Sequence, residues 1–231
     1  MTATATPVSR ARRALRVLSS VLIVTGAILL ADAVATLVWQ EPVSAVYAHF
    51  QQGRLGDKLV QLERAPLAPA EERALKKIPD PKRRLVFRAR ALRRHLKPGD
   101  AMGRIVIPAI GVSDVFVQGT GSADLRKGPG HYPATPLPGE RGTVAIAGHR
   151  TTYGAPFRSV DKLHPGDRIE LRMPYARFTY RVERTKIVPP TELSVTDRVA
   201  HDRLVLSACH PLYSAAQRII VFARLDSSVP R

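Results

Sequence analysis

The longest apolar segment of the chain lies close to its N-terminus. The residues from Val17 to Val38 are almost all hydrophobic or small, and Asp32 carries the single charge among these 22 positions. A helix rises about 1.5 Å per residue, so this segment would extend roughly 33 Å, enough to cross the hydrocarbon core of a bilayer. Trp39 follows at the place where an interfacial aromatic residue is expected. The pattern predicts a transmembrane helix over residues 17–39.

The charges on either side of this segment predict its orientation. Four arginines precede it, at positions 10, 12, 13 and 16, and Glu41 follows it. Basic residues favour the cytoplasmic side, so we expect residues 1–16 to form a cytoplasmic tail and the bulk of the chain to lie outside the cell. A cleaved signal peptide is the alternative, because Ala31-Asp-Ala33 resembles a small-residue cleavage site. The apolar run continues beyond that site, which favours a retained single-pass anchor.

A polar and basic segment, residues 40–100, comes next and is expected to be an extracytoplasmic linker. Tyr47–Leu62 is weakly amphipathic, and the apolar positions within the very basic stretch Lys82–Lys97 recur at helical spacing. The region between these two stretches carries prolines at positions 69, 79 and 81. We expect the basic helix to be solvated, the alternative being an arm that rests on anionic headgroups or wall polymer. Such a linker would hold the following domain away from the membrane.

Residues 101–231 have a different pattern, in which short apolar segments alternate with turns. Proline and glycine mark those turns, as in Pro136–Gly142 and Pro165–Asp167. The segments with the alternation and composition of strands are Gly103–Ile107, Val112–Val117, Thr143–Ala147, Arg168–Met173, Phe178–Val188, Arg203–Ala208 and Arg218–Leu225. Seven or eight short strands with few helices predict a mainly β fold that closes, or nearly closes, into a barrel.

The net charge restricts what an exported domain would bind. The chain has 36 Lys and Arg against 19 Asp and Glu, which gives a net charge of +17. Such a charge is typical of proteins that meet an anionic membrane, an anionic wall polymer or nucleic acid. Because the predicted export disfavours nucleic acid, the expected partner is an anionic membrane or wall surface.

Three residues of the C-terminal domain are candidates for chemistry. Cys209 is the single cysteine, so it cannot form an intramolecular disulfide, and it ends an apolar strand where a substrate could reach it. An inert, buried thiol is the alternative. His149 also ends an apolar strand, in a segment flanked by glycines. Arg218 opens the strand that returns after a short loop, which would bring it near Cys209.

Acyl transfer would use these three residue types together. A thiol is mostly protonated at neutral pH, and a nearby base or cation raises the fraction of thiolate that can attack a peptide carbonyl. A histidine suits protonation of the leaving amine, and an arginine suits stabilisation of the oxyanion. Among the seven histidines, His149 has the best setting, His210 points away from Cys209 in extended geometry, and His131 lies in a loop with a structural or substrate-loop role.

The motifs around these residues resemble those of the sortase family, most closely the class E type of high-GC Gram-positive bacteria. The segments that carry the resemblance are AGHRTTYGAPF at 147–157, VLSACHP at 205–211 and AAQR at 215–218, with GRIVIP at 103–108 and GPGHYP at 128–133. They fall in the family's order and follow an N-terminal anchor, and the resemblance covers about residues 103–225.

The resemblance implies an eight-stranded sortase barrel with His149, Cys209 and Arg218 as catalytic residues. It implies that the substrates are secreted proteins with a C-terminal LPxTG-like or LAxTG-like sorting signal, cut between Thr and Gly. The acceptor would be an amine of a peptidoglycan precursor or of a pilin subunit. The sequence has no acidic cluster that suggests a calcium site, and we expect no metal and no cofactor.

The segment before the cysteine departs from the family's usual Thr-Leu-x-Thr-Cys. Ser207 and Ala208 stand there, so both threonines are lost, and the family uses the residue before the cysteine near the substrate. We therefore expect Ser207 and Ala208 to affect substrate binding, together with Tyr153 and His131. The departure leaves the preferred sorting signal open.

Two other functions fit parts of the pattern. The basic linker and the net charge are compatible with a non-catalytic module that binds the membrane or cell wall. An L,D-transpeptidase is another exported cysteine acyltransferase, but Ser207-Ala-Cys209 lacks the glycine of its Ser-x-Gly-Cys pattern. The transpeptidase of the sortase type remains the favoured prediction.

Overall fold

A computed structural model describes residues 8–38 and 41–231. The chain divides between Pro42 and Val43 into two compact units. The first unit contains helix α1, Val8–Val38. Within it, Ala11–Thr36 is long and apolar enough to cross a membrane, judged by length and composition, and none of its most apolar stretch is buried in protein. Residues 1–7 of the expected tail, and Trp39, lie outside the described residues.

The second unit is built around a closed barrel of eight strands, as the sequence predicts. The strands are β1 (Ala101–Ile107), β2 (Val112–Gln118), β3 (Gly130–His131), β4 (Thr143–Ala147), β5 (Arg168–Met173), β6 (Ala176–Val188), β7 (Arg203–His210) and β8 (Gln217–Pro230). Their order around the barrel is β1-β2-β3-β4-β7-β8-β6-β5. The pairs β2–β3 and β4–β7 are parallel and the others are antiparallel.

The burial of the strands explains their composition. β6 begins with alternating buried and exposed residues, because one face meets the core and the other meets solvent. β7 is apolar on both faces: Leu204 and Leu206 enter the barrel core, while Val205 joins a second cluster on the outer face with Val188 and Phe222. A strand covered on both sides is therefore the one that carries Cys209.

Helices cover part of the barrel. They are α2 (Pro42–Arg64), α3 (Pro69–Lys76), α4 (Pro81–His95) and α5 (Ser122–Leu125), with 3₁₀ turns at Pro108–Ile110, Val160–Lys162 and Leu193–Thr196. Two of the prolines between the amphipathic stretches start helices, since Pro69 and Pro81 occupy first-turn positions where no backbone N–H is needed. Asp80 caps α4 by accepting hydrogen bonds from the backbone N–H groups of Lys82 and Arg83.

The structure corrects the expectation that the basic helix is solvated on all sides. Leu85 and Ala89 of α4 are buried in the main core, and Leu55 and Leu59 of α2 pack against a cluster on β1 and β2. Arg93 of α4 also donates a hydrogen bond to Glu140 at 2.6 Å. These helices therefore belong to the same compact unit as the barrel and do not form a free spacer.

The strand that sequence patterning missed, β3, was predicted as loop. It has two residues, and it exists because Gly130 pairs with Val117 of β2 on one side and Ala147 of β4 on the other. A Cβ at Gly130 would lie 2.1 Å from the carbonyl oxygen of Gly119, so only glycine allows this close approach.

Candidate active site

Cys209 and Arg218 face each other at one end of the barrel. In the antiparallel pair β7–β8, Cys209 is the direct partner of Arg218, and the preceding pair is Ala208 with Ile219. Residues directly opposite one another project to the same face of a sheet. Ala208 and Ile219 both enter the core. Alternation therefore directs Cys209 and Arg218 together to the outer face, where the free thiol is partly exposed.

The guanidinium of Arg218 is held by the loop between β7 and β8. Its Nη1 donates hydrogen bonds to the carbonyl oxygens of Ala215, at 3.0 Å, and Gln217, at 2.9 Å. These bonds use one of its three nitrogens and fix the orientation of the planar group. The N–H groups of the other two nitrogens are not used by these bonds.

His149 reaches the same end of the barrel from β4. That strand runs parallel to β7, with Ala147 beside Ser207. The Gly148 N–H continues the pairing by donating to the Ser207 carbonyl oxygen at 3.0 Å. A Cβ at Gly148 would lie 2.5 Å from the ring of Phe157, so glycine lets the chain pass over that ring. His149 therefore follows β4 at the same end of the barrel at which Cys209 lies near the end of β7.

The surroundings of His149 favour its neutral form. Burial lowers the pKa of His149, and the positive charge of Arg126 lowers it further. The imidazole is half-buried, with the ring of Tyr153 at 5.3 Å from it, and the Arg126 guanidinium lies over that tyrosine ring at 5.7 Å. The histidine can therefore accept a proton at neutral pH, and Arg126 opposes its protonation.

Replacing Arg126 with glutamine should raise the pKa of His149, because a positive charge beside the imidazole is removed. Its imidazolium form would then persist to higher pH, and any limb of the pH–rate profile that follows His149 should move in the same direction. NMR titration of histidine-labelled full chain in detergent micelles would measure the change, with His149→Gln used to assign the signal.

The matched control for that change is Arg126→Lys, which keeps the positive charge and should leave the titration of His149 near that of the unaltered chain. An equal shift in both variants would show that the Tyr153 contact, and not the charge, sets the titration. No shift in the glutamine variant would contradict the electrostatic explanation.

Tyr153 joins the histidine loop to helix α2. Its backbone has a positive φ of 52°, and its N–H donates to the Ser44 hydroxyl at 2.8 Å. Its ring lies between His149 and Tyr47, whose ring centroid is 6.1 Å away in an edge-on arrangement. The Tyr153 ring thus packs beside the imidazole of His149, a position consistent with contact to a bound peptide. Helix α2 supports Tyr153 through Ser44 and Tyr47.

Arg150 is a residue of the site that sequence reasoning missed. Its side chain is almost fully buried and donates to the Asp161 carboxylate at 2.7 Å and to the Arg158 carbonyl oxygen at 3.0 and 3.2 Å. Its Nη1 lies 3.4 Å from the Cys209 carbonyl oxygen and 3.3 Å from His210 Nδ1. Arg150 therefore ties the histidine loop to the end of β7. In the sequence, the position of Arg150 directly after His149 was the signal that could have indicated its role.

The other predicted substrate-binding residues lie deeper. Ala208 is buried and projects into the core, and Ser207 is buried on the outer face of β7. His131 is fully buried, with its ring nitrogens within hydrogen-bonding distance of Gln118, Thr135 and Pro136. Burial lowers the pKa of His131 to about 4. Direct substrate contact by His131 is thus corrected to a structural role, because no ring atom reaches the surface.

Within the part of the chain that the structure describes, no group of three or more His, Cys, Asp or Glu side chains is arranged to hold a metal ion. The polar atoms at the site come from a thiol, an imidazole and several guanidinium groups. That set is suited to nucleophilic acyl transfer with electrostatic stabilisation of an oxyanion.

Comparison with known proteins identifies the barrel. Residues 105–226 match the model of the Sortase domain family. Sortase D of Bacillus subtilis is 35% identical over 130 residues, which cover 54% of this chain and 64% of that protein. Sortase SrtE1 of Streptomyces coelicolor is 29% identical over 151 residues, covering 58% of this chain and 43% of that protein. The chain thus spans less than two thirds of the length of these curated relatives.

The solved structure of sortase E from Streptomyces avermitilis is 34% identical, with a TM-score of 0.54, and the match covers 58% of this chain and 93% of that one. The sequence match, the barrel order and the fold likeness all concern the same part of the molecule. Since the family model matches just over half of the residues, the chain belongs to the sortase family and is class E-like.

Proposed function

We propose that this protein is a membrane-anchored cysteine transpeptidase in which Cys209 is the nucleophile, His149 the acid/base and Arg218 the oxyanion stabiliser. The observation that carries the proposal is the register at one end of the barrel. It pairs Cys209 directly with Arg218, and β4, which precedes His149, pairs in parallel with β7 as far as Ala147 and Ser207. Family membership makes acyl transfer the expected chemistry of such an arrangement.

In the first half-reaction, neutral His149 takes the proton of the Cys209 thiol, and the resulting thiolate attacks the carbonyl carbon of the scissile peptide bond. The negative charge that develops on the carbonyl oxygen meets the N–H groups of Arg218 that the loop does not use. As the C–N bond breaks, protonated His149 donates its proton to the departing amine. The products are a thioester on Cys209 and the free C-terminal fragment.

In the second half-reaction, an incoming amine attacks the thioester carbonyl. Neutral His149 accepts the proton of that amine, and the Cys209 thiolate leaves as the new amide bond forms. The lowered pKa of His149 favours this proton-accepting step. Water in place of the amine would give hydrolysis.

The proposed substrates are secreted proteins that end in an LPxTG-like or LAxTG-like sorting signal, cleaved between Thr and Gly. The proposed acceptor is an amine of a peptidoglycan precursor or of a pilin subunit. Resemblance to the family supports both. Because the segment before Cys209 departs from the usual family motif, the residue accepted at the second position of the signal is best found by experiment.

The proposed topology is that of a single-pass protein with a cytoplasmic tail over residues 1–16 and an anchor over residues 17–39. The linker 40–100 and the catalytic domain 101–231 would lie outside the cell. The apolar span Ala11–Thr36 and the membrane association of sortases support this arrangement. The high net charge favours contact with an anionic membrane or wall surface.

A peptide library tests the function. Full-length protein in detergent micelles is incubated with peptides varied at each position of the sorting signal and with triglycine as the amine acceptor. Mass spectrometry should detect a thioester on the protein and a product that joins the N-terminal part of the peptide to triglycine. Absence of both products, together with salt-sensitive binding to wall polymer, would instead favour a non-catalytic binding module.

A further inference from the structure

Helix α2 carries an apolar stripe that the barrel leaves in solvent. Val43, Val46, Tyr47 and Phe50 recur at the spacing of one helix face, and their side chains are 74%, 59%, 43% and 66% exposed. The opposite face of the helix is buried against the rest of the unit and includes Ala48, Leu55 and Leu59. A contiguous exposed apolar face of this kind marks an interaction surface.

The position of the stripe in the chain restricts what can cover it. Only residues 39–41 separate the end of α1 from the start of α2. Four Cα–Cα steps span at most roughly 14 Å, so α2 must begin within that distance of the end of α1. If α1 crosses the bilayer, the first turns of α2 lie at the depth of the lipid headgroups.

Charge at the borders of the stripe fits anionic lipid. Arg54 lies one turn beyond Phe50 on the same side of α2 and is exposed. The Arg126 guanidinium lies over the ring of Tyr153, which itself contacts Tyr47 of the stripe. Apolar side chains flanked by arginines are typical of helices that lie in the membrane interface.

We propose that the N-terminal part of α2 docks on the surface of an anionic bilayer, with Val43, Val46 and Phe50 inserted among the lipids. This inference rests on the membrane anchoring by α1 that forms part of the proposed function. The contact from Tyr47 to Tyr153, and from Tyr153 to His149, means that the docked helix holds the catalytic loop next to the headgroups.

Site-directed spin labelling of the full chain in phosphatidylcholine–phosphatidylglycerol vesicles tests the docking. In a Cys209→Ser background each introduced cysteine is the single thiol of the chain. The label is placed by Val46→Cys, and by Val229→Cys as a matched control. Both valines are 59% exposed, but Val229 lies at the opposite end of β8 from Arg218. A third label, by Val24→Cys, reports insertion of α1.

Oxygen concentrates in the bilayer and a nickel chelate in water, so their relative collision rates with the label report depth. We expect oxygen to dominate at positions 24 and 46 and the nickel chelate to dominate at position 229. The preference at position 46 should weaken in vesicles of phosphatidylcholine alone.

Docking is overturned if position 46 behaves like position 229 while position 24 is inserted. Spin–spin broadening at position 46 in sparsely loaded vesicles would overturn it in favour of contact with a second copy. A water-accessible position 24 would overturn both the docking and the anchor. All labels are read in protein that lacks the nucleophile, so loss of the proposed transpeptidase activity has no bearing on the outcome.

Discussion

Replacing Cys209 with alanine should abolish both cleavage of a sorting-signal peptide and formation of the thioester. Cys209 is the single thiol of the chain, and it stands where β7 emerges beside Arg218. Without a nucleophile no covalent intermediate can form, and removal of a nucleophile that works with other groups costs on the order of 10⁶-fold in rate. The partly exposed position means that alanine should leave the fold intact.

The measurement is the rate of peptide cleavage together with the intact mass of the protein after incubation with substrate. Thermal unfolding of Cys209→Ala should match that of the unaltered chain, which separates lost chemistry from lost structure. Iodoacetamide should label the unaltered chain alone and block its activity. Cleavage by the alanine variant at an unchanged rate would refute the assignment of the nucleophile.

Replacing Arg218 with lysine should lower kcat by roughly 10²- to 10³-fold, the usual loss when one donor to an oxyanion is removed. Lysine keeps the positive charge but lacks the planar fork of donors. An ammonium that bonds to the carbonyl oxygens of Ala215 and Gln217 keeps a single N–H on that same nitrogen, whereas the guanidinium keeps the N–H groups of two further nitrogens. Since the donors act on the transition state, KM should change little.

Arg224→Lys is the matched control for this change. Arg224 lies on the same strand, β8, and bonds to Glu183 at 2.7 Å on the surface, with 58% of its side chain exposed. An exposed ion pair of this kind contributes little, so the lysine variant should keep normal kcat and stability. Equal losses in both variants, or a rise in KM without a fall in kcat, would contradict oxyanion stabilisation by Arg218.

Substitution near Cys209 has different consequences on the two faces of β7. Ala208 projects into the core, so a threonine there would place a hydroxyl among apolar side chains. Ser207 projects to the same face as Cys209 but is covered. The departure from the usual family motif therefore changes the packing beneath Cys209, and we expect any effect on substrate preference to act through the position of that residue.

The patterns of apolar and polar residues predicted most of the strands, because each pattern reflects which faces of that strand are buried. The alternation of β6 and the apolar run of β7 follow from one-sided and two-sided burial, and both strands were confirmed. The two-residue strand β3 was missed, since two residues carry no periodicity. It forms because the neighbouring strands β2 and β4 come within bonding distance.

The amino-acid composition of the basic helix α4 did not predict how the helix packs. Its charges suggested a helix surrounded by water, and yet its few apolar residues, such as Leu85 and Ala89, are buried. Long basic side chains can leave a narrow apolar face free to pack. Arg93 also meets Glu140, which comes 47 residues later in the chain. Such a partner cannot be deduced from the helix sequence.

The sequence by itself determined an apolar N-terminal span, a barrel-forming C-terminal domain, one thiol, and motifs from which His149, Cys209 and Arg218 are predicted to be catalytic. The tertiary structure alone decided how they meet. His149 and Cys209 lie at the same end of the barrel because β4 and β7, 60 residues apart in sequence, pair in parallel in one register. Two further contacts join residues that are distant in sequence. Arg150 bonds to the carbonyl oxygen of Cys209, and the N–H of Tyr153 bonds to Ser44 of α2. Side-chain periodicity follows from neighbouring residues, whereas strand register and loop contacts depend on closure of the whole barrel.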